Sequence, residues 1–486
     1  MSEPDAEGRA AEIAAHFAAR IAAGQLAPGE RLPTIRAVAA EWDVPRGVAH
    51  AAYRRLQDSG LVVATVGRGT VVASASAERR GHEPLARAAR AALQACAHAQ
   101  VGTLPEGEAE VADFAQFLPD SASFAVDEFR ESLERALRDR GHELLGYGEP
   151  AGDADLRRLL ADRAAPTDPG ATPDHVLITS GAQQGIDLVL RTFTSPGDAV
   201  IVVVPCYHHL FGLLASHGVD VLPVWWTEAG LDLDALARAL RSPRARLLYV
   251  MPTFQNPTGR SLDAAERRAL LQLLEPTRTP ILEDDCASEL RFAGEPLPSL
   301  RSLDRRGLTV TVRSFSKELF PGVRIGWLVG GPRVLPAMAA LKRYCDLETT
   351  PLLQAALVDF AARGGLDRHV AALRARLRDR HDVARAALRR AMPEGARWTT
   401  PDGGFALWLT VAPDLDAAAL AEAASRRGVC VAPGALFDPE RRPSAAVRLS
   451  LSRVEPDRIA AGIDVLGACA AALRSARAAT RLPLML

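Results

Sequence analysis

Apolar residues near the start of the chain recur with the spacing of an α-helix. Ile13, Phe17 and Ile21 fall four residues apart and predict one buried helical face. A shorter second helix is expected after Pro33, where Thr34 can cap its N-terminus. The pattern therefore predicts two helices separated by a short, Gly- and Pro-containing turn.

A third helix and a hairpin follow. Pro45 suits the first position of a helix, and Val48, Ala52 and Leu56 would line its buried face. Two β-rich runs, LVVAT and TVVAS, then flank the Gly-containing turn VGRG. This order of elements predicts a winged helix-turn-helix. The alternative interpretation is a generic small helical cap on an enzyme.

The pattern changes after residue 73. Residues 74–113 are rich in Ala, Arg, Glu and Gly and are interpreted as a linker that can carry a transient helix. Over residues 114–486, β-branched runs alternate with Ala-, Leu- and Arg-rich helices, which predicts an α/β domain with a mostly parallel sheet. The candidate strands are HVLIT, AVIVVV, RLLYV, PILEDD, LTVTV and GWLVG.

Composition narrows the class of protein. The 486 residues are 48% hydrophobic with a formal net charge of −1, which indicates a globular chain and argues against a wholly basic one. The six cysteines are far apart and form no C-x-x-C pair, so we expect a reduced, cytoplasmic protein without a metal site. The N-terminus is acidic, and no apolar run approaches the about 18 residues that span a bilayer. We therefore expect no export and no membrane partner.

The charge of the N-terminal segment differs from the net charge of the whole chain. Residues 31–73 contain six Arg against three Asp or Glu, an excess of three positive charges. Arg46 begins the predicted third helix and Arg68 lies at the hairpin tip, where a recognition helix and a wing meet DNA. Arg36 and Gly47 complete the candidate DNA-binding set, although an isolated surface Arg is usually only solvated.

The segment AGQLAPGERLPTIRAVAAEWDVPRGVAHAAYRRLQDSGLVVATVGRGTVV resembles the GntR-type winged-helix domain. The resemblance implies a double-stranded DNA operator as a partner. It departs from the family at Pro45, Arg46, Gly47 and Val48, where a Ser-Arg-Asn-Thr-like run is common. We expect phosphate contacts to survive this change while the sequence preference differs.

Two residues compete for any lysine chemistry, because only Lys317 and Lys342 among the 58 cationic side chains are lysines. Lys317 follows the strand LTVTV within Ser314-Phe315-Ser316-Lys317 and precedes Arg324, a setting suited to a Schiff base beside a phosphate. Lys342 has neither hydroxyl neighbours nor a strand end. We expect it to be a cation on a helix surface.

Three further motifs end predicted strands. SGAQ offers a Gly and helix N–H groups to a phosphate, PILEDD places Asp284 where it could hold a protonated ring nitrogen, and NPTG offers the amide of Asn256. Taken singly, SGAQ is a weak signal because many βα turns look the same, and NPTG can be an ordinary loop turn. Asp284 taken singly is better explained as an N-cap or a surface acid.

In order, the motifs SGAQ, PCY, NPTG, EDD and SFSK, followed by Arg324 and Arg448, resemble the fold-type I, aspartate-aminotransferase-like domain that binds pyridoxal 5'-phosphate. Together with the N-terminus, the whole chain resembles a MocR/GabR-type transcriptional regulator. The resemblance implies a large mixed, mostly parallel sheet with a smaller C-terminal α/β domain.

The resemblance also implies roles for single residues. Lys317 would form the internal aldimine, Asp284 would bind the pyridine nitrogen and Asn256 the ring hydroxyl. The residues implied around the phosphate are Ser180, Gly181, Ala182, Gln183, Ser314, Ser316 and Arg324. Gly181 and Ala182 would act through their backbone N–H groups.

Four other positions carry implied roles. Tyr207 would stack on the cofactor ring, unless it is a core tyrosine, and Tyr147 would reach the phosphate of a partner subunit, which implies a homodimer. Arg448 would grip a substrate carboxylate, unless it forms a structural ion pair. Cys286 stands where relatives carry Tyr, so a hydroxyl contact to the ring oxygen is missing.

The expected function is a transcription factor that senses a small amino compound when its amine displaces Lys317 in an external aldimine. One alternative is an active class I/II aminotransferase with an accessory DNA-binding domain. A second is a DNA-binding protein that has lost the cofactor and uses the fold for dimerisation.

Overall fold

The computed structural model describes residues 3–22, 25–27, 29–58, 61–65, 69–72, 89, 93, 96, 111–227, 230–412 and 415–481. The chain divides into two compact units, residues 1–86 and 87–486. Most of the predicted linker, residues 74–113, lies outside the described residues.

Unit 1 contains three helices and a hairpin, as predicted. Its elements are α1 Glu3–Ala22, α2 Ile35–Glu41, α3 Arg46–Asp58, β1 Val62–Thr65 and β2 Gly69–Val72. The Thr34 side chain accepts the Ala37 amide at 3.2 Å and caps α2, as expected for an N-terminal Thr. The two strands pair antiparallel from Val62 opposite Val72 to Thr65 opposite Gly69.

The core of unit 1 joins all five elements. Ile13 and Phe17 of α1 and Val48, Ala52 and Leu56 of α3 are buried, which confirms the predicted apolar faces. This packing explains why helices with modest intrinsic stability form, since tertiary burial supplies most helix stability in proteins.

Unit 2 alternates strands and helices. Its helices are α4 Val126–Leu144, α5 Ala154–Ala164, α6 Ala182–Phe193, α7 His209–Ser216, α8 Leu233–Leu240, α9 Ala264–Leu274, α10 Leu300–Leu303, α11 Phe315–Glu318, α12 Leu335–Cys345, α13 Pro351–Ala362, α14 Gly365–Ala391, α15 Ala417–Ser425 and α16 Pro456–Arg481. Its strands are β3 Ala112–Asp113, β4 Val176–Thr179, β5 Ala199–Val204, β6 Asp220–Thr227, β7 Gly230–Leu231, β8 Ala245–Val250, β9 Ile281–Asp284, β10 Thr309–Ser314, β11 Gly326–Val329, β12 Arg397–Trp398, β13 Ala406–Thr410, β14 Val429–Cys430, β15 Ala432–Pro433 and β16 Ala446–Ser450. The six strands predicted from β-branched runs are all present.

The large sheet is mixed and mostly parallel. Its strand order is β4-β11-β10-β9-β8-β5-β6-β7, in which β11 runs antiparallel to both of its neighbours and β7 runs antiparallel to β6. The strands β6, β5, β8, β9 and β10 are parallel to one another. The side chains of β5, β9 and β10 are buried on both faces, as is usual for a parallel sheet covered by helices, whereas Val224 is the one buried residue of β6.

A smaller C-terminal subdomain follows α14. Its four-stranded antiparallel sheet has the order β12-β13-β16-β15 and packs with α15 and α16 around a separate apolar core. The short strand β3 pairs with β14 in this subdomain. Ala112 and Asp113 therefore belong to the folded domain, and the predicted linker was drawn too far along the chain.

The helix α16 tests the expectation that no apolar run is long enough to span a bilayer. Its stretch Pro456–Ala476 is long and apolar enough to cross a membrane by length and composition, so the statement that no run approaches this length was wrong. Ile459, Ile463 and Leu466 of this helix are fully buried in the core of the smaller subdomain. Packing in this core accounts for the large apolar side chains on the buried face of the helix.

Candidate cofactor site

Five strand ends meet at one edge of the large sheet. The strands β4, β5, β8, β9 and β10 point the same way, so the segments that follow them lie side by side. These segments carry the SGAQ, PCY, NPTG, EDD and SFSK motifs. Residues up to about 140 positions apart are thus brought to one place.

A cavity of about 210 Å³ lies at this edge. The predicted site residues that line it are Ala182, Gln183, Tyr207, Asn256, Asp284, Cys286, Ser314, Ser316, Lys317 and Arg324. Residues that the sequence did not point to complete the wall, among them Phe117, Leu118 and Phe254.

Lys317 projects into this cavity from α11. Its Nζ donates a hydrogen bond to the carbonyl oxygen of Phe117 at 2.7 Å and lies 5.1 Å from the centroid of the Phe117 ring. Burial lowers the pKa of Lys317 to about 8, and the positive charges of Arg448 and Arg324 act in the same direction. The neutral fraction of this amine near physiological pH is therefore much larger than that of an ordinary lysine, although the protonated form is still the majority.

Asp284 ends β9 at the floor of the cavity. Its Oδ2 accepts a hydrogen bond from the Tyr249 hydroxyl at 2.5 Å, while its Oδ1 is buried without a partner among the described residues. Burial raises the pKa of Asp284, and the Tyr249 hydrogen bond opposes that rise. The free oxygen is an acceptor for a donor supplied from the cavity.

The turn between β4 and α6 forms a corner with Arg324. Gly181 has a φ of +91°, and a Cβ at this position would lie 2.5 Å from Nη2 of Arg324. Arg324, itself in the left-handed region at φ +52°, donates to the Ser180 carbonyl oxygen at 3.4 Å. The N-terminus of α6 and the guanidinium therefore face the cavity together, an arrangement suited to phosphate.

Ser314 and Ser316 flank this corner. The Ser314 hydroxyl donates to Oγ of Ser316 at 2.9 Å and accepts the Ser316 amide at 3.1 Å. Both residues line the cavity next to Lys317.

Ser180 is arranged differently. Its hydroxyl donates to Oδ2 of Asp346 at 2.9 Å and its amide donates to Oε1 of Gln184 at 2.7 Å. Neither Ser180 nor Gly181 is among the residues that line the cavity. Direct phosphate contact by these two residues stays a prediction.

Arg448 lies on β16 and is 1% exposed. Its Nη1 donates to Oδ1 of Asn256 at 3.0 Å and its Nη2 donates to the Ala115 carbonyl oxygen at 2.5 Å. The guanidinium carbon lies 4.7 Å from the centroid of the Phe117 ring and 5.0 Å from that of Phe437. Among the described residues it forms no ion pair with a carboxylate, so the alternative of a structural ion pair is not what the structure shows.

The remaining predicted residues divide between the cavity and the surface. The Tyr207 hydroxyl donates to Oε1 of Gln183 at 3.4 Å. Burial raises the pKa of the Cys286 thiol well above its usual value, so this group stays protonated at neutral pH. Tyr147 is 87% exposed and does not line the cavity. Its role toward a partner subunit stays a prediction.

Lys342 is not a surface cation, and that expectation was wrong. It is fully buried, and its Nζ forms an ion pair with Oδ1 of Asp346 at 2.8 Å. The helix α12 packs against α6, which encloses the side chain. The i, i+4 spacing of Lys342 and Asp346 was visible in the sequence and is the signal that could have suggested the pair.

Phe117 and Tyr249 are the main contributors that the sequence did not suggest. Phe117 precedes Lys317 by 200 positions, and no local pattern connects them. Tyr249 was seen only as a residue of the strand RLLYV. Its role follows from the parallel pairing of β8 and β9, which aligns Tyr249 with Leu282 and brings it near Asp284.

The candidate DNA-binding residues belong to unit 1. Arg36 of α2 and Arg46 and Gly47 of α3 are exposed, and Arg46 is the first residue of the predicted recognition helix. Arg68 lies outside the described residues. Within the described ranges, no group of three or more His, Cys, Asp or Glu side chains is arranged to hold a metal ion.

Comparison with known proteins agrees with both units. Residues 116–466 match the family Aminotransferase class I and II, and residues 9–72 match Bacterial regulatory proteins, gntR family. The chain is 34% identical over 360 residues to the 2-aminoadipate transaminase of Thermus thermophilus. The aligned region covers 74% of this chain and 89% of that protein.

Similarity to regulators extends further along the chain. The HTH-type transcriptional regulator TauR of Rhodobacter capsulatus is 31% identical over 460 residues, or 91% of this chain and 92% of that protein. Among solved structures, the α-aminoadipate aminotransferase LysN of Thermus thermophilus, complexed with N-(5'-phosphopyridoxyl)-L-leucine, has a TM-score of 0.71 and 32% identity over 79% of this chain and 98% of that one. The chain therefore belongs to the class I and II aminotransferase family and carries a GntR-type helix-turn-helix domain at its N-terminus.

Proposed function

We propose that this chain is a pyridoxal 5'-phosphate-dependent, DNA-binding transcriptional regulator that senses a small amino compound at Lys317. The observation that carries the proposal is the meeting of Lys317, the free oxygen of Asp284 and the Arg324 corner in one cavity. The GntR-type domain on the same chain supplies the link to DNA.

The residues of the cavity fit this cofactor. The unpartnered Oδ1 of Asp284 would accept a hydrogen bond from a protonated pyridine nitrogen, and the N-terminus of α6 with Arg324 would hold the phosphate. Tyr207 would cover the ring, Asn256 would reach its hydroxyl, and Cys286 would leave that oxygen less firmly held. When bound, the cofactor supplies an aldehyde that condenses with amines and a ring that withdraws electrons.

Arg448 would select an effector with a carboxylate. Its guanidinium now faces a backbone carbonyl, an amide oxygen and two aromatic rings, so a carboxylate would be a stronger partner. The Ala115 and Phe117 carbonyl oxygens hold Arg448 and Lys317. An effector whose carboxylate binds Arg448 would compete with the Ala115 carbonyl oxygen for this guanidinium, and such a change can be passed to the rest of the chain.

We also propose a cytoplasmic homodimer. Leu145, Tyr147, Tyr344 and Leu347 are large apolar side chains that are each at least half exposed. The Gly148 amide donates to Oε2 of Glu348, which joins the two segments that carry them. A set of exposed apolar side chains of this kind supports a protein–protein interface at this surface. The position of Tyr147 in this set is consistent with its proposed contact to a neighbouring subunit.

The test compares wild type with Lys317→Ala. Wild-type protein should show the near-ultraviolet and visible absorbance of bound pyridoxal phosphate, and amino compounds should change its affinity for DNA from its own upstream region. Lys317→Ala should lose the absorbance and the response to amines while keeping its basal DNA affinity. A variant that still responds to amines, or a wild type without the absorbance, would refute the proposal.

A second candidate is a working aminotransferase, favoured by the 34% identity to a transaminase. Full turnover of an amino acid with a 2-oxo acid at about 1 per second or faster would support it. Regulation requires only binding at Lys317. A rate far below that value, together with an amine-dependent change in DNA binding, would favour the regulator.

A further inference from the structure

The second lysine of the chain lies directly behind the phosphate corner. Lys342 is fully buried, and its Nζ contacts Oδ1 of Asp346 at 2.8 Å. The other oxygen of Asp346 accepts hydrogen bonds from the Ser180 hydroxyl at 2.9 Å and from Nε2 of Gln184 at 2.6 Å. One carboxylate thus joins α12 to the turn before α6.

This cluster occupies every side-chain and amide donor of Ser180. The hydroxyl is held by Asp346, with Oγ1 of Thr349 a further 3.2 Å contact, and the amide is held by Gln184. Ala182 and Gln183 face the cavity instead. The hydrogen bonds therefore fix the turn from behind and leave its cavity side to the α6 N-terminus.

Charge gives Lys342 a second role. A negative Asp346 beside the corner would repel a bound phosphate dianion, and water screens this repulsion only in part because the Asp346 side chain is 24% exposed. Lys342 is the only cation that contacts Asp346 among the described residues. It cancels this charge and keeps the corner favourable to anions.

We propose that Lys342 and Asp346 are positioning residues for the phosphate group of the cofactor, and that Ser180 acts through Asp346 and not as a direct phosphate ligand. The inference deepens the proposed function and rests on it. The inference predicts a selective effect on affinity. Changes in the cluster should weaken the binding of a ligand that carries a phosphate and should have little effect on the binding of a ligand without one.

The first experiment measures binding of pyridoxal 5'-phosphate and of pyridoxal, which lacks the phosphate, to the cofactor-free full-length protein. Lys342→Met leaves Asp346 unpaired and should weaken pyridoxal phosphate binding by about tenfold or more, while pyridoxal binding changes by less than about twofold. Lys342→Arg, which keeps the charge, should recover part of the loss. An unchanged ratio of the two affinities in Lys342→Met would overturn the inference.

A second experiment tests the inference even if the Lys342→Met variant does not fold. Lys342→Met/Asp346→Ala removes both charges together, and Ser180→Ala is made in this background and in wild type. Ser180→Ala should lower the preference for pyridoxal phosphate in wild type by about threefold and have no further effect in the charge-free background. Equal losses in both backgrounds would show a direct phosphate ligand and overturn the inference.

The outcome also separates this inference from the proposed function. A wild type that binds neither pyridoxal phosphate nor pyridoxal would overturn both. A wild type that binds both, with variants of unchanged preference, would overturn only the role of Lys342, Asp346 and Ser180.

Discussion

Two other cations lie near Lys317. Arg324 lines the same cavity, Arg448 lies behind Asn256, and both add to the effect of burial on the lysine, whose pKa falls to about 8. Only a neutral amine attacks a carbonyl, and a free lysine has a pKa of about 10.4. The surroundings therefore make Lys317 reactive at a pH where an ordinary lysine is almost wholly protonated.

The pH dependence follows from the lowered pKa. Below about pH 8 Lys317 is mostly protonated, so the rate at which cofactor-free protein captures pyridoxal phosphate should rise with pH and level off above about pH 8. Stopped-flow absorbance over about pH 6 to 10 would measure this. A rate that keeps rising to about pH 10 would contradict the lowered pKa.

At the scale of elements, the turn between β4 and α6 depends on a missing side chain. Gly181→Ala adds a Cβ 2.5 Å from Nη2 of Arg324 at a φ of +91°. We expect a loss of about 1 to 2 kcal/mol in unfolding free energy from backbone strain, and weaker cofactor binding because Arg324 must move.

Gly197→Ala is the matched control for this turn. Gly197 has a φ of +93° but no atom within 4 Å of an added Cβ. It should show the strain in denaturant unfolding and no change in cofactor affinity. Equal effects of the two variants on cofactor binding would argue against a role for the Gly181 to Arg324 contact.

The helix α3 carries the prediction for DNA. Arg46→Ala removes an exposed cation at the first residue of this helix, so DNA affinity should fall and the slope of log affinity against log salt should decrease by about 1. Fluorescence anisotropy at several salt concentrations would measure both. Arg343→Ala removes an exposed cation of unit 2 and should change neither.

At the scale of the whole molecule, the exposed apolar set of Leu145, Tyr147, Tyr344 and Leu347 predicts self-association. Tyr147→Asp/Leu347→Asp places charge in the proposed interface, where desolvation is costly, and should convert a dimer to a monomer in sedimentation equilibrium. Leu303→Asp, at an exposed leucine outside this set, should leave the dimer intact. A wild-type monomer would refute the interface.

Much of the fold was readable from local pattern. The spacing of Ile13 and Phe17, the cap at Thr34 and the β-branched runs of unit 2 predicted elements that the structure contains. These signals depend on neighbouring residues, because helix faces, caps and strands arise from short-range geometry. The resemblance of the strand-end motifs to the aspartate-aminotransferase-like domain implied one site for Lys317, Asp284, Asn256 and Arg324, and these residues line one cavity.

Three features depended on contacts between distant segments. The Phe117 carbonyl beside Lys317, the Tyr249 hydroxyl on Asp284 and the burial of Lys342 have no local sequence pattern that distinguishes them from ordinary core or surface positions. The local sequence around a lysine in a helix is the same whether water or another helix covers the side chain. The packing of α12 against α6 decides that Lys342 is buried. The cost of burying its charge is offset by the ion pair with Asp346. The other oxygen of Asp346 accepts hydrogen bonds from Ser180 and Gln184, which lie in the turn before α6 and in α6.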